Sequence, residues 1–397
     1  MKTPKLLYLP VINASKQIFF RSLHSNYDNS ELITNFWTKS KSPFYYPYAL
    51  ISSFYGMEFN DFRKHFEMPS EMFVYSDSGG FQQCTIKNAN VNPVTLINWQ
   101  ERNSNVGSIL DTPPYEKFGL AGFGGDIYKL WNKSLEQTKA NVKIMLDRRV
   151  SEKFQLQSVI QGETPVQMME WYKELEKVAK ECGKEFDGYA LSPKPASDPY
   201  KIVLHALHIN DIGTNKPIHF LQATGGNSLI TIAYLNQKLS NDITVDSSTF
   251  SYGARFGLMF DIYNFESKPH VGRDEKGKED IHIDCKEMPC FCQVCKHQIG
   301  KKIKEFELQD WDWINMHNLW QNINFIRYWD MIASDEDYFR KKLQKEKPDM
   351  IDIVDMIDYG LKEGLVKAYD KFKGNIKITE KKYTSQNLMG FAKNGRS

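Results

Sequence analysis

The sequence predicts an α/β protein built on a parallel sheet, and three observations carry that reading. Short apolar runs that end in a polar residue recur along the middle of the chain: Phe73 to Ser76, Val142 to Leu146, Gln157 to Ile160, Gly188 to Leu191, Ile218 to Leu221 and Ile243 to Val245. Between them lie longer stretches with apolar residues three and four apart, such as Pro165 to Cys182, with Gly183 placed to cap its C-terminus. The composition is that of a folded chain, with 41% hydrophobic and 25% charged residues over 397 positions, enough to bury a sizeable core. Strand and helix alternating this often imply a parallel sheet, either doubly wound or closed into a barrel.

The residues that follow the apolar runs are informative. Asp77, Asp147, Gln161, Gln222 and Asp246 each come directly after one of them. In a parallel barrel the strand C-terminal ends converge on one face, where the loops build a site. An Asp or Gln after a strand also caps a helix or starts a turn, so each one alone says little. Five at one mouth say more.

Charge and hydropathy exclude other classes. With 51 basic and 49 acidic side chains the formal net charge is +2, which is no polycation. No stretch approaches the ~18 apolar residues of a spanning helix, and Met1 to Pro10 is too short in its apolar part for a signal peptide, so a cytoplasmic location and no membrane partner are expected. Internal repeats are absent. From Pro269 to Cys285 the chain turns polar and reads as an exposed insertion, with eight basic and nine acidic residues between Val271 and Asp310. The end differs, since Lys371 to Ser397 holds seven Lys or Arg against Glu380 alone. With Phe372, Tyr383 and Phe391 between the cations, this tail could follow a phosphate backbone or simply be a solvated terminus.

Four of the six cysteines crowd together, and Cys290, Cys292 and Cys295 form C-x-C-x-x-C with His317 22 residues beyond the last. Three thiolates and one imidazole suit tetrahedral zinc, and four filled positions leave none for water, so the ion is expected to be structural. His297 is also near but follows Cys295 too closely to complete the same tetrahedron. His317 can arrive from a helix packed over the knuckle. Cys285 reads as a spare thiol.

The run Ser76 to Gln82 (SDSGGFQ) resembles the signature of the guanine transglycosylases, the enzymes that exchange guanine in tRNA for a 7-deazaguanine. Further pieces follow in the family's order: LDRRV with Asp147, VIQGE with Gln161, FDGYA from Phe186, and the C-x-C-x-x-C with MHNLW. The likeness covers about Phe73 to Trp320. It implies a TIM (β/α)8 barrel with a zinc-binding insertion near its C-terminal end. Divided accordingly, residues 1–70 are a divergent segment contributing to the barrel, 71–268 the barrel core, 269–335 the zinc subdomain and 336–397 C-terminal helices with the basic tail.

Base exchange needs a nucleophile that holds the sugar after guanine departs, and a carboxylate serves. By resemblance that nucleophile is Asp246, with Asp77 as the proton shuttle between the leaving and incoming bases. The resemblance also makes Asp147 an acceptor for the purine N1–H and exocyclic amine, Gln161 a donor to O6, and Ser78 their neighbour. Gln222 completes the ring of polar residues. Phe81 offers a face for stacking, and Gly79 and Gly80 allow close backbone approach.

Three departures from the tRNA enzymes stand out. Met1 to Ser70 lacks their Thr-Pro strand and Met-Pro-Val segment, Ser247 to Thr249 replaces the bacterial Pro-Thr-Arg and is closer to the archaeal pattern, and Leu191, Ser192 and Pro193 replace paired glycines at the 7-substituent. The last favours the nitrile-bearing base preQ0 over an aminomethyl base. The archaeal C-terminal RNA-binding domain is not expected after His317. These features look most like the divergent branch found in bacterial modification clusters and phages, which inserts 7-deazaguanine into DNA. The implied partners are DNA ahead of tRNA, the base itself, and a second copy of the chain or accessory DNA-opening proteins. A tRNA transglycosylase and a non-catalytic nucleic-acid-binding subunit are the alternatives, and retention of both aspartates argues against the second.

Overall fold

A computed structural model of the chain describes residues 5–12, 22–24, 31–86, 89–114, 127–193, 197–223, 225–255, 258–260, 292–298 and 308–376. Its strands in chain order are β1 (Leu6–Ile12), β2 (Ser22–His24), β3 (Glu31–Ile33), β4 (Tyr48–Ser52), β5 (Phe73–Asp77), β6 (Val106–Ser108), β7 (Gln155–Ile160), β8 (Gly188–Leu191), β9 (Ile218–Phe220) and β10 (Ile243–Ser247). Its helices are α1 (Ser53–Gly56), α2 (Phe62–His65), α3 (Gly80–Thr85), α4 (Pro93–Asn103), α5 (Ile127–Arg148), α6 (Pro165–Glu181), α7 (Pro199–Asp211), α8 (Gly226–Lys238), α9 (Thr249–Arg255), α10 (Leu308–Ala333), α11 (Glu336–Glu346), α12 (Ile351–Glu363) and α13 (Leu365–Phe372).

Eight strands close into a barrel in the order β1-β10-β9-β8-β7-β6-β5-β4, and every pairing in it is parallel. The fold is thus a TIM-type barrel rather than an open doubly wound sheet. Closure is made by β1, which pairs with β10 on one side and β4 on the other. The antiparallel pair β2 and β3 stands apart from it.

Local chemistry starts and stops the outer helices. Asn92 caps α4 through Val94 N–H with Pro93 in the first turn, Thr164 caps α6 through Gln167 N–H, and Asp198 caps α7 through Tyr200 N–H. Gly183 ends the α6 region at a φ of +64°, as its placement predicts. α10 packs along α8 and α9 and reaches β1, joining the C-terminal helices to the barrel.

One expected strand is a helix. Val142 to Leu146 forms part of α5, in which Leu130, Trp131, Leu135, Val142, Met145 and Leu146 are buried at helical spacing. The strand before β7 is instead β6, a three-residue piece containing Gly107. Residues 269–291 and 299–307 of the expected insertion lie outside the described residues, as do Cys285, Cys290 and the tail from 377. No helix among the described residues is long and apolar enough to cross a membrane.

Candidate active site

β5 carries its chemistry at its C-terminal end. Asp77 closes the strand opposite Ser52, and the chain turns at once into α3. The turn requires both glycines. Gly79 sits at a φ of +81°, and a Cβ on Gly80 would lie 2.3 Å from the Asp111 carbonyl oxygen and 2.9 Å from Asp111 Oδ1. The Ser-Gly-Gly run therefore presses α3 against Asp111. Ser78 is buried, with its N–H donating to Ser108 Oγ at 3.1 Å and its own Oγ accepting from Gly80 N–H at 3.3 Å.

Burial first, and then the charges of Asp246 and Asp111, together push the Asp77 carboxyl up to about 7 against the pull of the Gly79 and Ser78 amides. The three carboxyls thus share one mouth. They come from β5, from β10, which β4 and β1 separate from it in the barrel order, and from the loop after β6.

Asp246 is only 3% exposed and is held differently. Its Oδ1 accepts the Gln222 N–H at 2.6 Å and lies 3.2 Å from His219 Nε2. Gln222 adopts a φ of +56°, which aims its amide inward while its side chain is exposed. Its contribution here is backbone. The next residue, Ser247, is fixed through its carbonyl by the buried Tyr8 hydroxyl at 3.0 Å, and Asn322 of α10 donates to that hydroxyl at 3.1 Å.

Gln161 and Asp111 form the buried floor beside this pair. Gln161 Nε2 donates to Asp111 Oδ2 at 2.7 Å, and both residues are nearly inaccessible. Phe81 is half-buried in the first turn of α3. Asp147 is not part of the cluster. It is exposed near the end of α5, beside Cys182, and a helix that leaves a strand's C-terminal end reaches the opposite end of the barrel by its last turn. The third carboxyl beside Asp77 and Asp246 is instead Asp111. The sequence signal for it was present, since Val106 to Leu110 is a further short run, apolar but for Ser108, that Asp111 directly follows. If the site takes the purine that the sequence resemblance implies, replacing Asp111 by alanine should weaken binding of a guanine-containing oligonucleotide by about tenfold or more, and Asp147→Ala should leave it unchanged, by fluorescence titration.

Cys292, Cys295 and His317 lie together, with their ligand atoms within 4.8 Å of one another. Cys295 Sγ is 3.1 Å and Cys292 Sγ 3.5 Å from His317 Nδ1, while His317 Nε2 meets the Phe260 carbonyl at 2.9 Å. That bond orients the ring so that Nδ1 faces the sulfurs, and the Cys295 N–H donates to Cys292 Sγ at 3.2 Å. Two thiols and an imidazole so arranged fit a soft or borderline divalent metal. His317 rather than His297 joins the thiols. His297 stacks on Trp313 instead, and Cys290 lies outside the described residues.

The sequence is similar to archaeal proteins of curated function. It is 25% identical over 244 residues to the tRNA-guanine(15) transglycosylase of Methanococcus maripaludis (strain C5), covering 59% of this chain and 33% of the relative. With the tRNA-guanine(15) transglycosylase of Methanocaldococcus jannaschii the identity is 27% over 268 residues, covering 64% and 36%. With that of Methanococcus aeolicus it is 28% over 245 residues, covering 59% and 33%. The chain spans about a third of the length of the curated relatives it matches. No family model matches the sequence. These are distant homologues, in accord with the guanine transglycosylase superfamily.

Proposed function

We propose that the chain is a guanine transglycosylase, a pentosyltransferase that replaces guanine by a 7-deazaguanine in nucleic acid, with preQ0 as the base and DNA as the polymer. The observation that carries this reading is one mouth holding two unlike carboxyls: Asp77, raised to about 7, and Asp246, buried and met by a backbone N–H. A group that titrates near neutrality can give and take a proton; a carboxylate stabilised by donors can attack carbon.

The Asp246 carboxylate attacks C1′, the C1′–N9 bond breaks, and the departing guanine takes a proton from Asp77. The incoming base then gives a proton back to Asp77 as its N9 displaces the aspartate. Asp111 accepts from the purine N–H groups, Gln161 is its neighbour at the base edge, and Phe81 stacks. A duplex target must be opened and its guanine extruded before C1′ comes within reach.

Support for preQ0 comes from Leu191, Ser192 and Pro193, all buried at the end of β8, where an uncharged nitrile is easier to place than an ammonium. Support for DNA comes from the divergent Met1 to Ser70, which lacks the segments typical of the tRNA enzymes, whereas Ser247 to Thr249 is closer to the archaeal pattern. The second reading, tRNA, has the names of the relatives in its favour. Isotope-labelled preQ0 offered with duplex DNA or with unmodified tRNA separates them. Label is expected in DNA. Label only in tRNA removes the DNA reading, and label in neither favours a non-catalytic subunit.

The metal we place at Cys292, Cys295 and His317, with Cys290 as fourth ligand, is zinc, which when bound supplies folding energy. Cys292→Ser should lose the zinc and lower the thermal midpoint by roughly 10 °C, measured by elemental analysis and calorimetry.

A further inference from the structure

We infer that His219 is a positioning residue that selects which oxygen of Asp246 attacks the sugar and steadies that carboxylate when it leaves. The inference rests on the double displacement proposed above. His219 is fully buried on β9, with Nε2 3.2 Å from Asp246 Oδ1 and Nδ1 2.8 Å from Thr244 Oγ1. Thr244 and Asp246 are two apart on β10, hence on one face, and a single imidazole spans both. Its ring stacks on Tyr75 at 4.2 Å, and the Tyr75 hydroxyl is itself tied to Gln157 Oε1 at 3.0 Å. Such a ring has little freedom to turn away.

The protonation follows from the neighbours. An Nε2 lone pair facing a carboxylate oxygen at 3.2 Å would be repulsive, so Nε2 carries hydrogen, while Nδ1 faces the Thr244 hydroxyl, which also lies 3.4 Å from the Ile218 carbonyl. The approach to Oδ1 is off-axis for an ideal hydrogen bond, yet no other acceptor reaches this buried nitrogen among the described residues. Catalytic hydrogen bonds are often long or poorly aligned before substrate binds. Oδ1 also takes the Gln222 N–H, so both N–H groups converge on one oxygen. Oδ2 is the oxygen left for C1′.

Once Oδ2 is esterified, Oδ1 becomes the carbonyl oxygen and loses its charge, so its donors bind it less strongly. When the incoming N9 attacks C1′, the C1′–Oδ2 bond breaks and its electron pair returns to the carboxylate. The proton on N9 goes to Asp77. His219 favours the re-formed anion. Without its N–H the aspartate is a more basic leaving group, so the ester accumulates and discharges slowly.

His219→Phe keeps a ring against Tyr75 and removes the donor, His219→Asn keeps an amide only near the Nδ1 position, and His219→Gln returns an N–H near the Nε2 position. The measurement is the fraction of covalent adduct formed with a guanine-containing oligonucleotide at fixed free guanine, and its rate of discharge by added guanine. The Phe and Asn variants should raise the adduct fraction and slow discharge about ten- to a hundredfold, the worth of a charge-assisted hydrogen bond, and Gln should restore both. Having two donor-free variants keeps the test open if one fails to fold. Equal slowing of formation and discharge, with the adduct fraction unchanged, overturns the inference, as does failure of Gln to restore them in a protein of unchanged thermal midpoint. Absence of any adduct with the unaltered chain overturns the proposed function itself.

Discussion

Asp246→Asn should abolish covalent capture of a guanine-containing oligonucleotide and lower base exchange by at least about a thousandfold, the scale on which removing a nucleophile acts. The change is nearly isosteric. The amide oxygen can still accept the Gln222 N–H that Oδ1 accepts at 2.6 Å, so the strand end and the Tyr8 bond to the Ser247 carbonyl have no reason to move. What is lost is the charge and electron pair that attack C1′. A denaturing gel with a labelled oligonucleotide reads the adduct directly, and a thermal midpoint within a few degrees of the unaltered protein separates lost chemistry from lost folding. Undiminished capture would move the nucleophile elsewhere.

Asp77→Asn should suppress exchange for a different reason, and its effect should depend on pH. The carboxyl is raised to about 7 by burial and by the Asp246 and Asp111 charges, so in the unaltered protein adduct formation should fall as pH rises through about 7 and the proton for guanine is lost. Stability carries the same signature. Because the folded carboxyl holds its proton more tightly than the unfolded one, the stability it contributes is full below the ordinary carboxylate range and is lost as pH rises through about 7. Asparagine carries no such liability. The variant should therefore unfold like the parent near pH 4 and be more stable by about 2 to 4 kcal/mol at pH 8, measured by urea denaturation. Equal stability at both values would mean that Asp77 is not raised.

The alternation of apolar runs with helical periodicity was enough to read five of the eight barrel strands, because β5, β7, β8, β9 and β10 are largely buried and each ends in a polar residue or meets one within two positions. The rest were hidden for physical reasons. β1 is interrupted by Pro10, β4 lies in a stretch with no family likeness, and β6 is three residues long with a glycine at its centre. Val142 to Leu146 misled because a five-residue apolar run has no period of its own, and only the burial of Leu135 and Leu130 behind it shows the helix.

The site followed the same pattern. Asp77, Gln161 and Asp246 were legible as strand-end residues, and the metal trio by ligand type and spacing. Asp111 was missed because β6 was missed. A buried histidine inside a strand is read as core by default, so only the position of its ring beside Asp246 raises His219 above that reading. Gln222 was legible as a polar residue at the mouth, but its working group is the backbone N–H, which no side-chain pattern announces.

The account stands most directly on the bond between protein and sugar. Incubating the chain with a guanine-containing DNA oligonucleotide, digesting the denatured adduct and sequencing the modified peptide by mass spectrometry locates that bond. The predicted result is a deoxyribose-linked fragment on Asp246, reversed when preQ0 is added before denaturation. A fragment linked at Asp77 or any other residue, or protein that remains unmodified with both DNA and tRNA, would contradict it.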